Sequence, residues 1–146
     1  MNKVWISIRF VYLYLSYWFV GLAEEDFYIS KGEYFADLGK YHSAIKCYKK
    51  ALEESDMSFL YASIGWCYTN IEEDALALEN YRKAYEKIKK HYVTVPLALL
   101  EMENGNRDKC KDVFSNIREN RKELPEESIK HYDQVKEYLE QPENLN

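Results

Sequence analysis

Glycine and proline are scarce in this chain, five and three among 146 residues. No run of β-branched residues alternates with polar ones as a half-buried strand would. Few turn-formers and no strand signal leave an all-helical protein as the expected class. The three cysteines, Cys47, Cys67 and Cys110, are an odd number without CxxC or CxxH spacing. Neither a zinc site nor a disulfide framework is therefore encoded. Each thiol falls inside a helical pattern, where a small buried sulfur serves as core. His42, His91 and His131 are dispersed, and no pair stands at i, i+4 beside a carboxylate as a metal site needs. G-x-S-x-G, P-loop and G-x-G-x-x-G motifs are all missing. Adjacent acids such as Glu53-Glu54 and Glu126-Glu127 point to different sides of a helix, and solvation explains them. The chain reads as non-enzymatic, with no cofactor and no metal site.

Charge excludes another class. Residues 1–23 hold only Lys3 and Arg9 of the 20 basic groups and none of the 25 acids, so the rest carries a net −7. Nucleic-acid binding rests on clustered Lys and Arg and is not expected here. Lys46, Lys49 and Lys50, and again Lys87, Lys89 and Lys90, lie on helix backs among acids and read as solvated faces.

What is present falls into two kinds of sequence. Val4 to Ala23, VWISIRFVYLYLSYWFVGLA, is apolar for twenty residues with one charge, long enough to span a bilayer at helical rise. Trp5 and Trp18 lie towards its ends as interfacial aromatics would. Length and flanks favour a signal anchor, which makes the membrane one partner, through residues 4–23. The positive-inside rule then puts the amino terminus of a single-pass protein in the cytoplasm. The flanking charges favour the far side for the remaining domain, and three unpaired cysteines favour a reducing compartment, so its side stays open. Two alternatives stand beside the anchor. One is a cleaved signal peptide with Gly21-Leu22-Ala23 as its small-x-small site, leaving a secreted or periplasmic binding module. The other is a helix packed on the domain or on a partner, which Arg9 favours because a mid-helix charge is costly in lipid. Trp5, Arg9, Tyr12 and Ser16 form one stripe that would face the membrane or a partner helix.

From residue 25 onwards the chain repeats itself with a period of thirty-three. The central unit runs from Tyr61 to Ala84. Tyr61, Ile64, Gly65 and Tyr68 mark one helical face, Glu72-Glu73-Asp74 form a corner with Asp74 placed as a cap, and Ala77, Tyr81 and Ala84 mark a second helix. Thirty-three residues earlier stand Gly32, Phe35, Gly39, Ala44, Tyr48 and Ala51; thirty-three later stand Ala98, Gly105, Cys110, Phe114 and Ile117. Small residues at such places let helices approach, and the aromatic fills the space between them. Gly39 and Gly105 can take the left-handed conformation that ends a helix. Glu72 stands at that place in the middle corner, which is expected to turn by another route. Thr94-Val95-Pro96 is expected to start its helix late, since proline suits only the first turn. After Leu124-Pro125 a last amphipathic helix carries Ile129, Tyr132, Val135 and Leu139 on one face.

Tyr61, Ile64-Gly65, Tyr68, Ala77 and Tyr81 resemble, in order, the signature of the tetratricopeptide repeat (TPR) family. The first unit matches at Gly32, Phe35, Ala44, Tyr48 and Ala51. The third is degenerate, with Glu101 in place of the tyrosine. The resemblance implies an all-α, TPR-type helical-hairpin solenoid. It would comprise a hydrophobic helix over 1–23, repeats over 24–57, 58–90 and 91–123, a capping helix over 124–141 and a tail over 142–146. It also implies a concave surface, lined mainly by the first helix of each repeat, that docks a peptide or helix of another protein. Here that surface maps to Ile29, Glu33 and Ala36; to Phe59, Ala62, Ser63, Trp66 and Asn70; and to Tyr92, Val95, Leu99 and Met102. Ile29, Glu33, Ser63, Tyr92 and Pro96 occupy the places where chaperone-binding members carry a carboxylate clamp, so a chaperone tail is not an expected ligand. The implied function is a membrane-anchored adaptor or accessory subunit that docks a protein. The alternative is a structural subunit of a membrane complex held by its first helix.

Overall fold

The structure, a computed structural model, describes residues 3–21, 23–54, 57–119 and 121–142, and leaves undescribed the side chains of 3–7, 9, 10 and 20. The described residues contain eight α-helices and no strand: α1 (Lys3–Val20), α2 (Glu24–Asp37), α3 (Tyr41–Glu54), α4 (Ser58–Thr69), α5 (Asp74–Lys87), α6 (His91–Glu103), α7 (Arg107–Glu119) and α8 (Glu126–Glu140). They divide into two compact units that meet in sequence between Glu73 and Asp74.

In the first unit α2 and α3 form a hairpin, α1 packs on α2 and α4 packs on α3. Its core is Ala44, Ile45, Tyr48, Ala51, Leu60, Ile64 and Cys67, with Tyr28, Phe35 and Tyr68 half-buried against it. Helix α2 approaches α3 closely at Gly32, where an added Cβ would stand 2.5 Å from Tyr48 Cε1. The repeat's small residue is thus small because the repeat's aromatic lies on it.

In the second unit α5 packs on α6, and α6, α7 and α8 pack on one another. Ala77, Tyr81, Ala84, Leu97, Ala98, Cys110, Val113, Ile117, Tyr132 and Val135 are among its buried side chains. Phe114 stacks on Tyr132 with ring centroids 4.9 Å apart, which holds α8 against α7. Arg107 closes the far end of α8: its guanidinium donates to the carbonyls of Tyr138, at 2.9 Å, and Leu139, at 2.8 Å, and to that of Gln141. A cation there satisfies carbonyls that the helix itself leaves without donors.

All three corners close in the same way. Lys40 N–H donates to the Phe35 carbonyl, Glu73 N–H to that of Tyr68 and Asn106 N–H to that of Glu101, at 2.9, 3.0 and 2.8 Å. The preceding residue donates three residues back, giving the paired bonds of a Schellman ending. Gly39 and Gly105 have φ of 70° and 69°, and Glu72 has φ of 61°. The middle corner therefore takes no separate route. Glu72 accepts the left-handed conformation despite its Cβ, because the two corner bonds and the start of α5 fix the backbone around it.

Two further expectations are corrected. Helix α6 starts at His91, not at Thr94, and carries Pro96 in its interior. Proline at that position forgoes one bond to the Tyr92 carbonyl, near the helix start and beside an exposed side chain, where water can replace it. The membrane-spanning, single-pass placement with the membrane as partner is overturned: among the described residues no helix is long and apolar enough to cross a membrane. Helix α1 has 18 residues and ends before Gly21, whose φ is 71°. That length covers about 27 Å at helical rise, short of the ~30 Å hydrocarbon core. Lys3, Arg9, two serines and three tyrosines also dilute its apolar character. Instead of facing outwards all round, α1 lays Tyr14 and Tyr17 on Phe27 of α2, at 5.2 and 4.4 Å between centroids. Lys31 Nζ stands over the Tyr14 and Phe27 rings.

Candidate functional site

The residues assigned to a docking surface lie on α2, α4 and α6, with Asn70 just past the end of α4. On α4 the spacing Phe59, Ala62, Ser63, Trp66, Asn70 follows one face of a helix. Phe59 and Trp66 are 40% and 47% exposed, whereas Ala62 between them is buried. The face is thus two large aromatics flanking a shallow floor. Trp66 leans edge-on against Tyr41 at the start of α3, with centroids 5.5 Å apart. Ser63 Oγ donates to the Phe59 carbonyl at 3.3 Å, and Asn70 Nδ2 donates to the Trp66 carbonyl at 2.8 Å. Asn70 therefore caps the end of α4 with its donors and leaves its side-chain oxygen facing solvent.

On α2, Ile29 and Ala36 are half-buried against the first unit's core, and Glu33 is exposed. On α6, Tyr92 is 44% exposed, Val95 is buried, and Leu99 and Met102 are half-buried. Phe59 and Tyr92 are thirty-three residues apart, so the same sequence position of two successive repeats carries an exposed aromatic. Ala62 and Val95 share the next position, and both are buried. Of the stripe assigned to α1, Tyr12 is exposed and Ser16 is half-buried; the side chains of Trp5 and Arg9 lie outside the described residues.

Two features of the site's surroundings escaped the reading of the sequence. Tyr41 supports Trp66, yet nothing in the repeat marks it, since Asp74 and Arg107 stand at its equivalent positions. Glu101, which replaces the repeat's tyrosine, is buried and held by Arg82 of α5. Arg82 Nε and Nη2 donate to its two oxygens at 2.6 and 2.7 Å, and Asn106 Nδ2 adds a third bond at 2.8 Å. A buried carboxylate with its oxygens satisfied in this way is a structural tie. The carboxylate raises the Arg82 pKa above its ordinary value through the hydrogen bond. The only signal available was the charge itself at a core position.

The three thiols are buried and free. Burial raises all three, Cys67 and Cys110 to about 11. They are protonated at neutral pH and poor nucleophiles. Among the described residues no three His, Cys, Asp or Glu side chains are grouped to hold a metal ion. What the α4 and α6 faces offer is contact area of aromatic character with polar margins, the composition that dominates protein interfaces.

The tetratricopeptide repeat model matches residues 25–55, which contain α2 and α3. No curated protein matches the sequence. Among solved structures, that of YrrB, described as a TPR protein with an unusual peptide-binding site, is similar with a TM-score of 0.66 and 16% identity. The likeness covers 95% of this chain and 79% of that one. Residues 25–55 thus match a tetratricopeptide repeat, and the chain shares its fold with a TPR protein, its three corners closed alike.

Proposed function

We propose that the chain is a non-enzymatic adaptor or accessory subunit that docks a peptide or helix of another protein on the first-helix faces of its repeats. In the first unit Phe59 and Trp66 would be its anchors, with Ile29, Ala62 and Asn70 beside them; in the second unit the anchor would be Tyr92, with Val95, Leu99 and Met102. The observation that carries this reading is the exposure of Phe59, Trp66 and Tyr92 in a protein whose other repeat aromatics are packed. Aromatics of this size half in solvent are the residue types that become interface hot spots. The peptide site of YrrB, a protein of the same fold, adds support. Glu33, Ser63 and Pro96 supply no cation for a terminal carboxylate, so the ligand is recognised through apolar side chains.

The test substitutes Trp66→Ala and Phe59→Ala and follows affinity capture beside thermal melting. Trp66→Ala removes one exposed ring and its pairing with Tyr41, a loss of about 1 kcal/mol to the fold, while a hot-spot loss is about 2 kcal/mol or more to binding. Capture should fail with folding nearly intact. A large drop in stability with an unchanged set of captured proteins would show that these rings serve the core alone.

A further inference from the structure

Helix α1 is apolar on two opposite faces, and α2 covers one of them. Tyr14 and Tyr17 lie on Phe27, while Ile8, Val11, Tyr12, Leu15, Trp18 and Phe19 point away from it and are between 51% and 83% exposed. A helix that is apolar all round is normally covered all round. The outer face of α8 differs: Lys130, Asp133, Gln134 and Glu137 are exposed there. An apolar face on α1 thus finds no counterpart on α8, and head-to-tail stacking of chains is not favoured. It does find one in itself.

We propose that α1 is a self-association helix and that a second copy of this chain covers its open face, the two helices running antiparallel about a two-fold axis. Spacing is the first argument. Ile8 and Leu15, Val11 and Trp18, Tyr12 and Phe19 are each seven residues apart, the interval that keeps a seam facing a partner helix. Area is the second. Tyr12, Trp18 and Phe19, at 72%, 77% and 83% exposure, expose roughly 500 Å² if such side chains bury 150–250 Å² each. With the three aliphatic residues the face approaches the ~800 Å² per partner of a standard interface. Charge is the third. Lys3 and Arg9 are the only charges in α1, and Glu24, Glu25 and Asp26 follow directly after it. Antiparallel pairing brings the basic end of one helix beside the acidic turn of the other and opposes the two helix dipoles. Centring the axis between Tyr12 and Leu15 sets Ile8 level with Phe19 of the second copy.

The experiment weighs the full-length chain by sedimentation over a wide range of concentration. The expected result is a dimer of twice the 17.5 kDa chain. Leu15→Glu and Phe19→Lys, both at exposed positions that leave the core untouched, should each weaken dimerisation by about thirty-fold or more. Their circular dichroism and melting should match those of the monomeric wild type. Direction is tested by mixing Ile8→Glu with Phe19→Lys, each monomeric alone. An antiparallel dimer re-forms in the mixture, because the two new charges meet once and the other Ile8–Phe19 contact stays native. A wild-type monomer overturns the proposal, including one whose α1 face proves to bind vesicles or an unrelated protein. So does a dimer that survives both substitutions, and a mixture that stays monomeric overturns the antiparallel arrangement.

Discussion

Replacing Glu72 by glycine should make the protein more stable, although it removes a side chain. Glu72 has φ of 61° at the place where Gly39 and Gly105 have 70° and 69°. An L-residue with a Cβ pays about 1–2 kcal/mol to hold that conformation. Glycine holds it freely, but its unfolded chain is looser by roughly 0.5–1 kcal/mol. The difference leaves Glu72→Gly stabilising by about 0.5–1 kcal/mol, or roughly 1–4 °C in Tm for a chain of this size. The carboxylate is exposed, so little contact energy is lost with it. Gly39→Ala and Gly105→Ala are the matched controls. A Cβ at either would meet nothing within 4 Å, so a loss of about 1 kcal/mol at each measures backbone strain without a clash. Urea melts should show the midpoint moving up in the first variant and down in the other two, with slopes unchanged. A Glu72→Gly protein no more stable than the parent, beside controls that do lose stability, would mean that the middle corner does not hold the backbone the other two share.

Glu101→Ala should destabilise by about 1–3 kcal/mol, because it leaves Asn106 without its partner and the space of a buried side chain empty while Arg82, 39% exposed, turns to solvent; a chemical melt close to that of the parent would show the tie to be dispensable. Gly32→Ala should destabilise by about 1–2 kcal/mol, the clash with Tyr48 outweighing the better helix propensity, and a Gly32→Ala, Tyr48→Phe double variant should not recover, since the clash is with ring carbons. The raised thiols make stability depend on alkaline pH. A thiol whose folded pKa lies above its unfolded 9.0 binds more protons folded than unfolded once the pH passes 9, so its contribution is complete below pH 9 and lost as pH rises towards about 11. Thermal melts between pH 8 and 10.5 should therefore fall more steeply for the parent than for a Cys67→Ala, Cys110→Ala variant, and parallel curves would refute burial as the cause.

The hairpins were legible because one period carries packing and turning together. Ala44 and Ala77 have the same neighbours to accommodate as Cys110, and all three are fully buried; Tyr48 and Tyr81 are buried at the aromatic position. A residue type seen once at such a place says little, but seen three times at one interval it specifies a contact. The corrections fall where residue type and conformation part company. Glutamate does not announce a positive φ, and proline normally marks the start of a helix, so neither Glu72 nor Pro96 could be read from local preference. Helix α1 shows a different limit. Apolar sequence states that a surface must leave water and does not state what covers it. Tyr14 and Tyr17 meet Phe27, and no pattern of single residues distinguishes that cover from lipid.

The departures from the repeat can then be sorted by what compensates them. At the position of Phe35 and Tyr68 the third hairpin has Glu101, yet its carbonyl accepts the same corner bond, and its side chain has recruited Arg82. That departure is closed within its own unit, and it leaves nothing for a partner to do. Trp66 departs too, standing where the neighbouring repeats have Glu33 and Leu99, but it stays 47% exposed beside Tyr41. The same holds for the outward face of α1, which α2 leaves uncovered. An aromatic group left half in solvent stays a net burden to the free protein. Binding would remove that burden, so on the proposed reading Trp66 and α1, and not the better buried Glu101, are the places where a partner would be met.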